Sequence, residues 1–81
     1  MELLIKEVAK RKGFTMAKLA GKTNIDKTTL SRYNTGKVEP PLHKLKIIAD
    51  VLDSELAELI PVGDKYGHWI DKGEWQGIRK K

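Results

Sequence analysis

Phe14-Thr-Met-Ala-Lys-Leu-Ala-Gly-Lys-Thr-Asn-Ile-Asp-Lys-Thr-Thr-Leu-Ser-Arg-Tyr33 reads as two short helices joined by a tight turn, and the rest of the 81-residue chain is organised around it. Gly13 halts a preceding helix, and Thr15 offers a hydroxyl to cap the next one just before Met16, Leu19 and Ala20 line up on one face. Asn24 ends that helix, because Asn tolerates the left-handed backbone a sharp turn needs, and Ile25 supplies an apolar plug for the angle between the helices. Asp26 is a strong N-cap for a second helix from Lys27 to about Thr35, and Gly36 supplies its stop.

On a wheel at roughly 100° per residue, Leu30, Tyr33 and Asn34 share one arc of the second helix, and Lys27, Thr28, Ser31 and Arg32 share the opposite one. A polar arc is ordinarily just a solvated face. This one follows a capped turn in a cationic half of the chain: residues 1–37 carry a net +6, residues 38–60 a net −3 and residues 61–81 a net +2, of a total of +5. A positive excess coinciding with the two-helix stretch is the electrostatic footprint expected for a phosphate backbone. Lys27 and Thr28 then occupy the first turn, the part of a recognition helix that approaches base edges in a major groove.

Working outward, Met1, Leu4, Ile5 and Val8 recur at helical spacing with Lys6, Lys10, Arg11 and Lys12 largely outside, which predicts a first helix over residues 2–12. Its apolar stripe is read as core; a membrane-surface helix needs a wider apolar face, commonly with aromatics. Gly36 to Pro41 is a turn, and Leu45, Ile48, Ala49 and Leu52 share a face of a helix from Leu42 to Leu52. Asp53 or Ser54 caps a short fifth helix carrying Leu56, Leu59 and Ile60, whose acidic face, Glu55 and Glu58, is expected to point away from a bound nucleic acid. In the tail, Tyr66, Trp69 and Ile70, then Asp71-Lys72-Gly73, then Trp75 and Ile78 predict two strands around a turn, with Arg79-Lys80-Lys81 fraying.

The ordered set Lys12-Gly13-Phe14-Thr15, Leu19-Ala20, Ile25, Leu30-Ser31-Arg32, Gly36-Lys37, Pro40, Leu45, Ile48-Ala49-Asp50-Val51-Leu52 and Leu56-Ala57-Glu58-Leu59 resembles the DNA-binding domain of the phage repressor and Cro family. The resemblance runs from Ile5 to Ile60. It implies an all-α fold, a compact five-helix lambda-repressor-like bundle with a helix-turn-helix over residues 1–60, followed by a C-terminal extension over residues 61–81. The sequence departs from the family at three points. Met16 stands where many members have a Gln that braces a phosphate, and Asn24 stands where Gly is common in the turn. Ala9 and Asn34 stand where many members pair an Arg with a Glu, and losing both partners together leaves no lone buried charge.

From these readings Lys27, Thr28, Ser31 and Arg32 are expected to read bases, with Thr15, Lys18 and Lys37 on phosphates. Tyr66, Trp69 and Trp75 are the candidate dimer or partner interface, because aromatics on a small ribbon favour an interface over bare solvent. The expected partner is double-stranded DNA, bound by a homodimer acting as a sequence-specific transcriptional regulator of repressor type. The alternative is an antitoxin-type protein that holds a partner protein through its tail and regulates its own operon. An enzyme is disfavoured: there is no Cys nucleophile, no phosphate-cradling glycine loop and no paired catalytic carboxylates. His43 and His68 have no companions at metal-ligand spacing, and no cofactor is expected. No apolar run approaches the roughly 20 residues of a membrane span, and no signal-peptide pattern opens the chain, so the cytoplasm is the expected compartment, where a chain with no Cys fits well.

Overall fold

The apolar positions at helical spacing converge on one core of 13 buried side chains, in which Ile5, Leu19, Leu30, Ile48, Leu52 and Leu59 are almost completely enclosed. Each such burial stabilises the fold by about 1.5–3 kcal/mol before the entropy cost of ordering the chain. A computed structural model describes residues 1–81. The order is α1 (Ile5–Arg11), α2 (Met16–Thr23), α3 (Lys27–Thr35), α4 (Leu42–Val51), a 3-10 turn (Leu56–Leu59), and strands β1 (Tyr66–Asp71) and β2 (Glu74–Lys80). None of these helices is long and apolar enough to cross a membrane.

The expected all-α, five-helix bundle is therefore corrected to four α-helices and a single 3-10 turn, while the two strands expected in the tail are present as an antiparallel sheet. The reason lies in the short interval between α4 and Pro61. Glu55 is extended, and the turn closes through Glu58 N–H to Glu55 O at 3.0 Å and Ile60 N–H to Ala57 O at 3.2 Å. Ile60 is again extended, as a residue before proline tends to be, so no room remains for an α-turn to propagate.

The first helix is also shorter than expected. Residues 1–4 form a strap across the bundle: Leu3 N–H donates to Asn34 O at 2.9 Å and Leu4 N–H to Leu59 O at 2.8 Å. These bonds satisfy amides that a longer helix would leave free at its N-terminus. Met1, placed on the apolar stripe by periodicity, is instead exposed.

Glu58, on the acidic face of the 3-10 segment, is not left in solvent. It is 5% exposed, forms an ion pair with Arg11 and accepts the Glu55 N–H at 2.6 Å. A carboxylate is tolerated there because it is both paired and hydrogen-bonded.

Strands β1 and β2 pair antiparallel around Lys72-Gly73, both with positive φ (52° and 78°), the two-residue hairpin turn whose twist matches that of the strands. The register runs from Tyr66 opposite Lys80 to Asp71 opposite Glu74, with a bulge where Trp69 faces Gly77 and Ile70 faces Trp75. Arg79 and Lys80 lie within β2, and Lys81 N–H donates to Lys65 O at 2.9 Å, so the basic terminus is held in the ladder and does not fray. His68 fixes the hairpin to the bundle: its Nε2–H donates to Ile60 O at 2.7 Å, while its Nδ1 accepts the Trp75 indole N–H at 2.9 Å.

Candidate nucleic-acid interface

The interface is built from the turn outward. Thr15 is extended and its hydroxyl accepts Lys18 N–H at 3.1 Å, which opens α2 and leaves the earlier amides of that end facing outward. The Lys18 ammonium sits 5.0 Å from the centre of the Phe14 ring, held by cation–π attraction beside those amides. At the other end Asn24 takes the left-handed conformation, φ 59°. Thr23, buried, donates its hydroxyl to Leu19 O at 2.8 Å and accepts Ile25 N–H at 3.3 Å, tying helix and turn together through one oxygen.

Asp26 then starts α3 by accepting Thr28 N–H at 3.0 Å. Its carboxylate complements the positive end of the helix dipole. Leu30 and Tyr33 are buried and pin α3 against the core, so the opposite arc must face outward. Lys27, Thr28 and Arg32 are exposed and Ser31 is half-buried beside them. Lys37 is exposed in the turn after Gly36, whose φ of 83° reverses the chain. The molecule's two ion pairs, Met1 ammonium with Glu39 and Arg11 with Glu58, involve none of Lys18, Lys27, Arg32 or Lys37. Four cations around a capped turn are thus free to meet an anion.

The C-terminal end of α3 is latched more firmly than the sequence suggests. Asn34 Oδ1 accepts Lys6 N–H at 3.1 Å while its backbone oxygen accepts Leu3 N–H. One residue thus anchors the strap and the first turn of α1 to α3. Its position opposite Ala9 in the family pattern was the only available signal, and the backbone partners lie 28 and 31 residues away in sequence. Met16 is half-buried against the core, which accounts for an apolar residue there.

The aromatic trio in the tail does not form one patch. Side chains alternate between the faces of a strand, so Tyr66, His68 and Ile70 share the face that also carries Trp75, while Trp69 lies on the other. Trp75 is half-buried near Leu4, Val8 and Arg11 of the bundle. Tyr66 and Trp69 are exposed, and Trp69 carries the Arg79 guanidinium 4.7 Å from its ring centre. No three His, Asp or Glu side chains converge to hold a metal ion.

A family model described as helix-turn-helix matches residues 5–59, a span that contains the capped turn and all four α-helices. No curated protein matches the chain.

Proposed function

The chain belongs to the helix-turn-helix family of lambda-repressor and Cro type, a family of DNA-binding transcription regulators rather than of enzymes, and from that premise we propose that it is a sequence-specific repressor binding a two-fold operator as a homodimer. The observation that carries this reading is α3 itself: capped by Asp26, held from behind by Leu30 and Tyr33, and presenting unpaired Lys27, Thr28 and Arg32 on its outer arc.

Lys27 and Arg32 are assigned to guanine O6 and N7, Thr28 to a thymine methyl or a base acceptor, and Ser31 to a close approach that needs a small side chain. Thr15, Lys18 and Lys37 are assigned to phosphates, where they fix the register without reading sequence. Half-sites of a dimer on the same face of the duplex lie about 34 Å apart. Repression then follows from occupying DNA that polymerase needs.

Bound sequences selected from random duplexes supply the operator. The double variant Lys27→Ala, Arg32→Ala should lose about 1–3 kcal/mol of discrimination for each base pairing removed while keeping its fold; undiminished discrimination would sink the groove assignment. Exposed Tyr66, Ile70 and Ile78 on one face of the hairpin support residues 61–81 as an extension that pairs two subunits. Removal of residues 62–81 should then shift the solution mass toward monomer. The same apolar side chains favour the second reading, an antitoxin-type protein whose tail holds a partner, for which co-purification with another small protein is the discriminating observation.

A further inference from the structure

The open end of the hairpin holds a cationic cleft outside the helix-turn-helix, at the edge of the apolar face of the tail. Its walls are Gly67, His68, Arg79, Lys80 and Lys81, with no acidic and no hydrophobic residue among them. Both ion pairs of the molecule lie elsewhere, so the three consecutive cations have no carboxylate partner.

Two features make this a defined surface and not a loose basic end. The Arg79 guanidinium carbon lies over Trp69, 4.7 Å from its ring centre, a cation–π contact that restrains the side chain, and neither ion pair of the molecule uses it. Lys81 is held by its N–H to Lys65 O, and its side chain lies along the backbone of Gly67, where a Cβ would come within 3.2 Å of Lys81 Cε. Glycine at position 67 is what lets the lysine lie there. His68 contributes a wall only, since both of its nitrogens are already engaged, by Ile60 O and by the Trp75 indole. The first of these bonds ties the cleft to the end of the bundle, and the second joins β1 to β2 beside it.

We propose that this cleft is a second phosphate-binding site, taking phosphodiester groups of the DNA backbone outside the stretch covered by α2 and α3. Arg79 and Lys81 share the face of Gly67, with Lys80 one position away across the strand edge; such a set suits phosphate oxygens, which accept bidentate bonds from Arg and point-charge attraction from Lys. An acidic protein is the competing occupant, and the lack of any hydrophobic residue among the five that line the cleft argues against it, because protein interfaces are centred on apolar and aromatic side chains. The proposal rests on the DNA-binding reading above for its ligand but not for any base contact, so the two can fail separately.

The test uses the full chain on a random-sequence duplex, for wild type, for Arg79→Gln, Lys80→Gln, Lys81→Gln together, and for the charge-keeping Arg79→Lys, Lys80→Arg, Lys81→Arg. The slope of log affinity against log salt should fall by about 0.9 for each phosphate no longer neutralised, so by up to roughly three units in the neutral variant, with wild-type slope in the charge-keeping one. On the operator recovered by selection, ethylation interference at phosphates flanking the half-site should disappear in the neutral variant alone. Slopes and interference patterns identical to wild type would overturn the proposal, as would an equal drop in the charge-keeping variant. Release of a bound acidic protein by the neutral variant, with the DNA slope unchanged, would overturn it in favour of the competing occupant. Retained amide protection across β1 and β2 verifies that the ribbon is intact. In parallel, undiminished operator discrimination in Lys27→Ala, Arg32→Ala would refute the base contacts and leave a lowered slope in the hairpin variant standing.

Discussion

Substituting Gly36→Ala tests whether the N-terminal strap clamps the end of α3. Gly36 has φ 83° and a Cβ built on it would stand 2.7 Å from Met1 O and 2.8 Å from Met1 C, both backbone atoms. The left-handed conformation alone costs a non-glycine residue about 1–2 kcal/mol. The close approach adds overpacking of about 1–3 kcal/mol, because the atoms met are backbone atoms of a strap whose course is set two and three residues on by the bonds of Leu3 to Asn34 and Leu4 to Leu59. Gly13 supplies the control, since its φ of 79° is nearly the same and nothing lies within 4 Å of an added Cβ. The expectation is therefore a loss of about 1–2 kcal/mol for Gly13→Ala and about 2–5 kcal/mol for Gly36→Ala, read from urea midpoints at constant m-value. At roughly 4–8 °C per kcal/mol for a domain of this size, the two melting temperatures should separate clearly. Faster hydrogen exchange at Leu3 in Gly36→Ala alone should accompany the difference. If the two variants were destabilised equally to within about 0.5 kcal/mol, the spread ordinary for a neutral surface change, the strap would not be a clamp.

Other consequences can be measured on the same material. Glu58→Ala strips Arg11, whose side chain is only 17% exposed, of its anion and leaves Glu55 N–H without its acceptor, so it should cost about 3–5 kcal/mol in urea unfolding. Replacing Arg11 and Glu58 together by Met should recover most of that loss, leaving about 1 kcal/mol for the orphaned amide. His68→Phe frees both the Trp75 indole and Ile60 O, and should abolish amide protection in β1 and β2 while that of Leu30 and Ile48 in the core is kept; protection unchanged in the hairpin would mean that the histidine is not its tether.

The helices flanking the turn were legible because their signals are local. Thr15, Asn24, Asp26 and Gly36 each act through their own backbone and that of residues two or three away, and the structure uses all four as caps. The apolar arc of α3 was legible for the same reason, since Leu30 and Tyr33 are three residues apart. The exposure of Lys27, Thr28 and Arg32 follows from that arc, whereas the base contacts proposed for them involve a partner that the chain does not encode. What periodicity could not show were bonds made across the bundle. Leu3 reaches Asn34, Leu4 reaches Leu59, and Arg11 reaches Glu58, 47 residues on; these fix where α1 starts and why a carboxylate is buried. The tail fell between the two cases. Lys72-Gly73 announced the hairpin, and strand parity alone separates Tyr66 from Trp69, but the bulge that returns Trp75 to the face of Tyr66 depends on Gln76 being left unpaired.

Asn34 shows how the parts act together. Its carbonyl and carboxamide hold the strap and α1, the strap holds the 3-10 turn through Leu59, and the next residue, Ile60, holds His68 and with it Trp75. From the end of α3 to the hairpin every step is a single hydrogen bond or one peptide unit, in a bundle whose interior does not compress. Reading base edges requires that α3 enter a groove at a set angle, and a helix gripped only by Leu30 and Tyr33 would still be free to pivot about them. The second grip, at its C-terminal end, removes that pivot. It also ties α3 to α1 at the point where the family pattern would place an Arg and a Glu. Asn34 makes an uncharged latch between the same two helices, and the buried charge pair reappears between Arg11 and Glu58, where it joins α1 to the 3-10 turn.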